Sequence, residues 1–149
     1  MVAFFNLAYR FDGPAGTKRG AGWTGQITSN SFQKREFGKP LIQHQVHGHY
    51  LADIATRVTS MQAFVDQCVM AHNAGTLDET AASMAKFWTT EEQQDIVTRC
   101  LQMFGGYGFM LEYPISTHYL DSKVQTIYGG TNEIMKEIIF RRIAKGGAA

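Results

Sequence analysis

The sequence places His44, His47 and His49 within two helical turns, a spacing at which imidazoles can share a metal ion. On a helix, however, His44 and His47 occupy one face while His49 points elsewhere, and the next carboxylate is Asp53. The set therefore reads as polar residues on a partly solvated helix face, with metal binding as the alternative. Further on, Gln102-Met103-Phe104-Gly105-Gly106-Tyr107-Gly108-Phe109 is a helix end breaking into a glycine turn, where bare backbone lets a ligand approach. Because the run follows a helix rather than a strand it is a weak nucleotide motif, and a helix stop with a tight turn accounts for it as well. Ile127-Tyr128-Gly129-Gly130-Thr131-Asn132-Glu133-Ile134 is more informative, since Thr131 as N-cap starts a helix whose free N–H groups can hold an anion or a polar group. Lys34 and Arg35 beside Phe37-Gly38-Lys39-Pro40 offer cations next to an aromatic ring, suited to phosphate and a stacked base, or simply to a solvated loop. No Ser-His-Asp or Cys-His pattern with supporting glycine turns accompanies these runs, which argues against hydrolytic chemistry.

The elements that must position these residues are helices. From about Leu41 to Asn73, Val46, Leu51, Ile54, Val58, Met61, Phe64 or Val65, and Cys68 recur every three to five residues, one apolar helical stripe that stops at Asn73-Ala74-Gly75. A second helix is expected after Thr76, with Asp78 and Glu79 in its first turn, running to about Met103 on a stripe of Ala81, Met84, Ala85, Trp88, Ile96, Val97 and Leu101. A shorter helix over Ser116 to about Thr126 follows Pro114. A last one opens at Thr131 and carries Ile134, Met135, Ile138 and Ile139 ahead of Arg141, Arg142 and Lys145. No segment alternates as a strand, so the reading is all-α, an up-and-down four-helix-type bundle over residues 32–145 with a short tail over 146–149. Residues 1–31, rich in Gly with no sustained apolar period, are expected to be irregular.

Composition bounds the function. With 149 residues the chain has room for one domain, not for a complete enzyme with separate cofactor and substrate domains. Fourteen basic against thirteen acidic side chains leave no electrostatic footprint for nucleic acid or an anionic membrane. Cys68 and Cys100 lie far apart and read as buried thiols in a reducing compartment. No apolar run approaches the roughly 20 residues that span a bilayer, and the apolar start at Met1 to Leu7 lacks the flanks of an export signal.

Taken together, Phe37-Gly38-Lys39-Pro40-Leu41 with Gln45, Leu51-Ala52-Asp53, Lys86, Gln102 with Gly105-Gly106-Tyr107-Gly108, Glu112-Tyr113-Pro114, Asp121 and Tyr128 to Ile134 resemble, in order and spacing, the C-terminal helical domain of acyl-CoA dehydrogenases. The stretch from Arg57 through Lys86 to Ile143 is most similar to the long-chain-type members. The resemblance implies a flavoprotein of fatty acid beta-oxidation that removes an α-proton and passes a β-hydride from an acyl-CoA to FAD, with electrons going on to an electron-transfer flavoprotein. It also implies packing against a β-domain and a second helical domain, and a homo-oligomer with FAD lying across subunits. By matching position, Lys34, Arg35, Glu36 and Phe37 fall at the phosphates and adenine of a neighbouring subunit's flavin, with His44, Gln45, Gln102 and Gly106 in the same wall. Tyr128, Thr131 and Glu133 match the helix start beside the flavin of the same site, and Gly130 backs the acyl-CoA.

The pattern also departs from the family. Gly129 stands where many members carry the glutamate that takes the α-proton, so no catalytic base is identifiable there. Long-chain-type members place the base on the preceding helix, which matches Asn6 to Arg10 here; the nearest carboxylate is Asp12. Lys34 and Glu36 replace the usual Arg and Thr of the phosphate loop, so a bidentate fork is lost and a like charge gained. The resemblance therefore implies a chain not competent in catalysis alone, whether a fragment or the product of a shifted reading frame, in the cytoplasm or, in a eukaryote, the mitochondrial matrix. The alternative is a non-catalytic helical oligomerisation module derived from the same family.

Overall fold

A computed structural model of the chain describes residues 33–146, so the expectations for residues 1–31, for Asn6 to Arg10 and for Asp12 lie outside the described residues. Two short strands, β1 (Arg35–Glu36) and β2 (Lys39–Pro40), are followed by a 3-10 turn at Leu41–Gln43 and five helices. These are α1 (Gln45–Asn73), α2 (Glu79–Phe104), α3 (Gly106–Phe109), α4 (Pro114–Gln125) and α5 (Asn132–Ala144). The fold is all-α, as expected. Helix α2 is its axis: α1, α3, α4 and α5 all pack against it.

Local sequence explains the helix ends. Helix α1 stops where Gly75 takes φ +71°, its N–H bonding His72 O while Thr76 N–H bonds Ala71 O, the paired 5→2 and 6→1 closure of a Schellman motif. Pro114 opens α4 from its first turn, where its missing N–H costs nothing. Thr131 caps α5, its Oγ1 accepting from Ile134 N–H at 3.4 Å.

The core joins Ile54 and Met61 of α1 to Ile96, Val97, Cys100, Met103 and Phe104 of α2 and Ile115 of α4. Burial pushes the Cys100 thiol up to about 12, so it stays protonated and behaves as a small apolar side chain. Toward its N-terminus α2 buries a different set against its neighbours: Thr80, Ser83, Lys86, Thr89, Thr90 and Gln93. Thr89 and Thr90 satisfy their hydroxyls on the carbonyls of Ala85 and Lys86 one turn back, at 2.6 and 2.9 Å.

The structure corrects several boundaries. Helix α1 begins at Gln45 rather than Leu41, because the 3-10 turn intervenes and seats Leu41 in the interior, and Val46 is exposed rather than part of the stripe. Residues 35–40 form a hairpin where no strand was expected. Its tip, Phe37-Gly38, has φ of +51° and +78°, the primed turn that matches strand twist. The glycine run after Gly105 winds into the one-turn helix α3 instead of an open turn. Ile134 is exposed, since the inward position at the start of α5 belongs to buried Asn132.

Candidate functional site

The residues singled out in the sequence fall into two groups at opposite ends of α2. The first surrounds its C-terminus. Lys34 Nζ donates to Met103 O at 3.2 Å and pairs with Glu36 Oε1 at 3.1 Å, tying the hairpin to the last turn of α2. The Glu36 carboxylate thus lies on Lys34 instead of standing free against a phosphate, while Arg35 and Lys39 remain exposed. Phe37 sits at the hairpin tip almost wholly exposed, in a left-handed conformation that costs a non-glycine residue about 1 kcal/mol or more. His44 Nε2–H donates to Glu36 O at 3.1 Å, and rings continue along one face of α1, His44 to His47 at 6.1 Å and His47 to Tyr50 at 6.4 Å. Gln45, Gln102 and Gly106 lie on the same end of the bundle and are exposed.

A cavity of about 780 Å³ opens there, lined among others by Lys34, His47, Tyr50, Arg99, Gln102 and Gly105. His47 Nδ1 is buried on this side without a hydrogen-bond partner. A buried polar atom left so costs about 1–3 kcal/mol, and a ligand with donor and acceptor edges would relieve it. His47, Tyr50 and Arg99 were not singled out for this cavity in the sequence; the signal was the i, i+3 spacing of His44, His47 and Tyr50, which strings their rings together. Among the described residues no cluster of three or more His, Cys, Asp or Glu is arranged to hold a metal ion.

The second group lies about 24 Å away along α2, taking the 16 residues from Lys86 to Gln102 at 1.5 Å each. Here Tyr128, Gly129 and Gly130 form an exposed loop that Thr131 and Asn132 close. Gly129 and Gly130 have φ of +66° and +91°, a conformation side chains rarely adopt, so this loop presents bare backbone. Hydrogen bonding from its own backbone N–H, and next from the Thr131 hydroxyl, holds the Glu133 carboxyl below the usual range. Glu133 is exposed, and position 129 itself has no side chain.

Beneath the loop lies Lys86, only 6% exposed, whose Nζ donates to Asn132 Oδ1 at 2.7 Å. Burial lowers its pKa from the ordinary lysine value, and the Glu133 carboxylate partly restores it. The structure thus gathers Lys34, Arg35, Glu36, Phe37, His44, Gln45, Gln102 and Gly106 at one end, and Tyr128, Gly130, Thr131 and Glu133 at the other. One chain does not bring the two groups together.

The donor set at each end suits a flavin dinucleotide: bare glycine backbone and a capped helix start at one, and rings, an amide and exposed cations beside a cavity at the other. Among the described residues no helix is long and apolar enough to cross a membrane.

Comparison with known proteins identifies the chain's relatives. The family described as acyl-CoA dehydrogenase, C-terminal domain, matches residues 23–144. The chain is 48% identical over 111 residues to the mitochondrial long-chain specific acyl-CoA dehydrogenase of Rattus norvegicus, a match covering 74% of this chain and 26% of that protein. Acyl-CoA dehydrogenase from Geobacillus kaustophilus has the same fold with a TM-score of 0.85 at 33% identity, over 95% of this chain and 35% of that one. An FAD complex of PigA is similar with a TM-score of 0.77 at 25% identity, over 85% of this chain and 33% of that one. The chain spans about a quarter of the length of the long-chain relatives it matches. A helical fold hung on α2, with the family's motifs in order along it, and a family match over most of its length establish that this chain belongs to the acyl-CoA dehydrogenase family of oxidoreductases, as its C-terminal domain.

Proposed function

We propose that the chain, over residues 32–145, acts as the C-terminal helical domain of an FAD-dependent acyl-CoA dehydrogenase and supplies two different edges of the flavin site to two different subunits. The observation that supports this reading is the separation of the two residue groups by about 24 Å of α2, which sets the two edges at separate places on one chain. Lys34, Arg35, Phe37, His44, Gln45, Gln102 and Gly106 would hold the phosphate and adenosine part of a neighbouring subunit's FAD. Tyr128, Thr131 and Glu133 would stand beside the flavin of the other site, and Gly130 would back the acyl-CoA thioester. When bound, FAD supplies the hydride acceptor for α,β-dehydrogenation.

What this chain's own residues do is bind and orient. The glycine loop leaves room for ligand atoms against the backbone, and the N-terminus of α5 favours a negatively charged or polar group there. No described residue in the loop offers a carboxylate as general base, so this reading assigns binding and orientation to the loop and not proton abstraction. The relatives' names support a fatty acyl-CoA as substrate and, for a eukaryotic chain, the mitochondrial matrix; otherwise the compartment is the cytoplasm. An electron-transfer flavoprotein is the electron acceptor in this reading, and the assembly is a homo-oligomer.

Titration of the full chain with FAD tests the reading. Uptake seen as quenched flavin fluorescence and a resolved bound-flavin spectrum, without turnover of a long-chain acyl-CoA, is the expected result. An absence of FAD uptake contradicts it, and would leave the non-catalytic oligomerisation module as the alternative.

A further inference from the structure

We propose that Lys86 positions the 126–132 loop by stapling its two ends from below. Lys86 Nζ reaches Asn132 Oδ1 at 2.7 Å and Thr126 O at 3.4 Å, the residues that bracket the loop. The same two residues are joined by Asn132 N–H to Thr126 O at 3.1 Å, so backbone and lysine close the loop at one point. The Asn132 side chain is engaged on both sides, because its Oδ1 accepts from Lys86 with Thr90 Oγ1 at 3.1 Å beside it, and its own Nδ2 donates to Phe87 O at 3.4 Å. Between the staples lie Ile127, Tyr128, Gly129 and Gly130, all exposed, and the half-buried cap Thr131, so the loop has little packing of its own to fix it.

Two adjacent glycines at positive φ give this segment the largest conformational freedom to lose on ordering. An ammonium here is also poorly placed for stability alone. It is buried beside the N-terminus of α5, where the helix dipole is already positive, and apolar replacement of a buried ion is often neutral or stabilising. What a methionine of similar reach cannot do is bond both ends of the loop. That the loop serves flavin and thioester rests on the proposed function; that Lys86 sets its conformation does not.

Amide exchange by NMR on the full chain tests this, at Asn132, Ile134 and Met135, whose N–H groups bond Thr126 O, Thr131 Oγ1 and Thr131 O. Lys86→Met is expected to speed exchange there at least about tenfold while Ile96 and Val97 keep the wild-type rate. In Lys86→Met/Asn132→Leu, where both polar partners become apolar, thermal stability is expected to recover while the loop stays fast. FAD affinity is expected to fall about tenfold in both variants, following the exchange rates rather than the melting temperature. Wild-type protection of the three amides in Lys86→Met, or its return in the double variant together with the melting temperature, would overturn the inference. If the wild-type chain takes up no FAD, the proposed function fails, and the exchange rates still decide the role of Lys86.

Discussion

Arg57 Nη1 donates to Asp95 Oδ2 at 2.6 Å across the α1–α2 contact. The same guanidinium reaches Asp53 at 3.2 Å and Glu92 at 3.1 Å, and Arg99 extends the group to Asp53 and Asp95. Hydrogen bonding to Asp95 is the largest influence raising the Arg57 pKa. These side chains are partly exposed, so water and salt screen them, and each pair is worth about 0–1 kcal/mol. Arg57→Met is expected to lower unfolding free energy by about 1 kcal/mol in urea titrations at low salt, and by clearly less at about 1 M salt. An effect unchanged by salt would show that Arg57 acts by packing.

Gly108 lies where α3 crosses the end of α2. A Cβ there would stand 2.5 Å from Leu101 O and 3.2 Å from Phe104 Cβ, and backbone cannot move aside as a side-chain tip can. Gly108→Ala is expected to cost roughly 1–3 kcal/mol, read as a lower urea midpoint. An alanine variant as stable as wild type would mean that α3 sits further from α2.

The depressed pKa of Lys86 has a consequence for stability. Burial disfavours the ammonium in the folded chain, so between the lowered pKa and the ordinary lysine value the unfolded chain binds more protons. The burial cost of Lys86 is therefore present in full at neutral pH and diminishes as pH rises through that window. Glu133, and on the same face Lys136 with its partner Glu91, are the other charges nearby. The stability difference between wild type and Lys86→Met, measured by denaturation from pH 7 to pH 10.5, is expected to shift in favour of wild type as pH rises. A flat difference would place the ammonium in water.

Cys100 is fully buried with its thiol pushed up to about 12, and burial raises Cys68 as well. The thiolate is the reactive form, so iodoacetamide at pH 8 is expected to modify Cys100 only at the rate of global unfolding. Rapid labelling of folded protein would contradict its place in the core.

Much of the helical pattern was legible because period and punctuation agreed: Asn73-Ala74-Gly75, Pro114 and Thr131 each mark an end that the structure uses within a few residues. The hairpin at Arg35 to Pro40 was not, since two-residue strands carry no alternation and Phe37 is an unusual residue at positive φ. The polar face of α2 was hidden too, because a stripe of Thr80, Ser83, Thr89, Thr90 and Gln93 reads as solvent-facing until α4 and α5 cover it. The motifs picked out the residues that fall in the two groups, and the helix expected from Thr76 to about Met103 already spaced Lys86 from Gln102; what the sequence did not show is that Lys86 is buried beneath the 126–132 loop.

The central claim, that each flavin site takes one edge from each of two chains, is tested most directly by FAD binding to mixed variants. Lys34→Glu/Gln102→Ala damages one edge and Gly130→Ala/Thr131→Ala the other, so each variant alone is expected to bind FAD weakly. Refolded together in equal amounts, they are expected to regain wild-type affinity at about a quarter of the sites, as random pairing across a two-fold interface provides. A mixture that binds FAD no better than the separate variants would contradict the account.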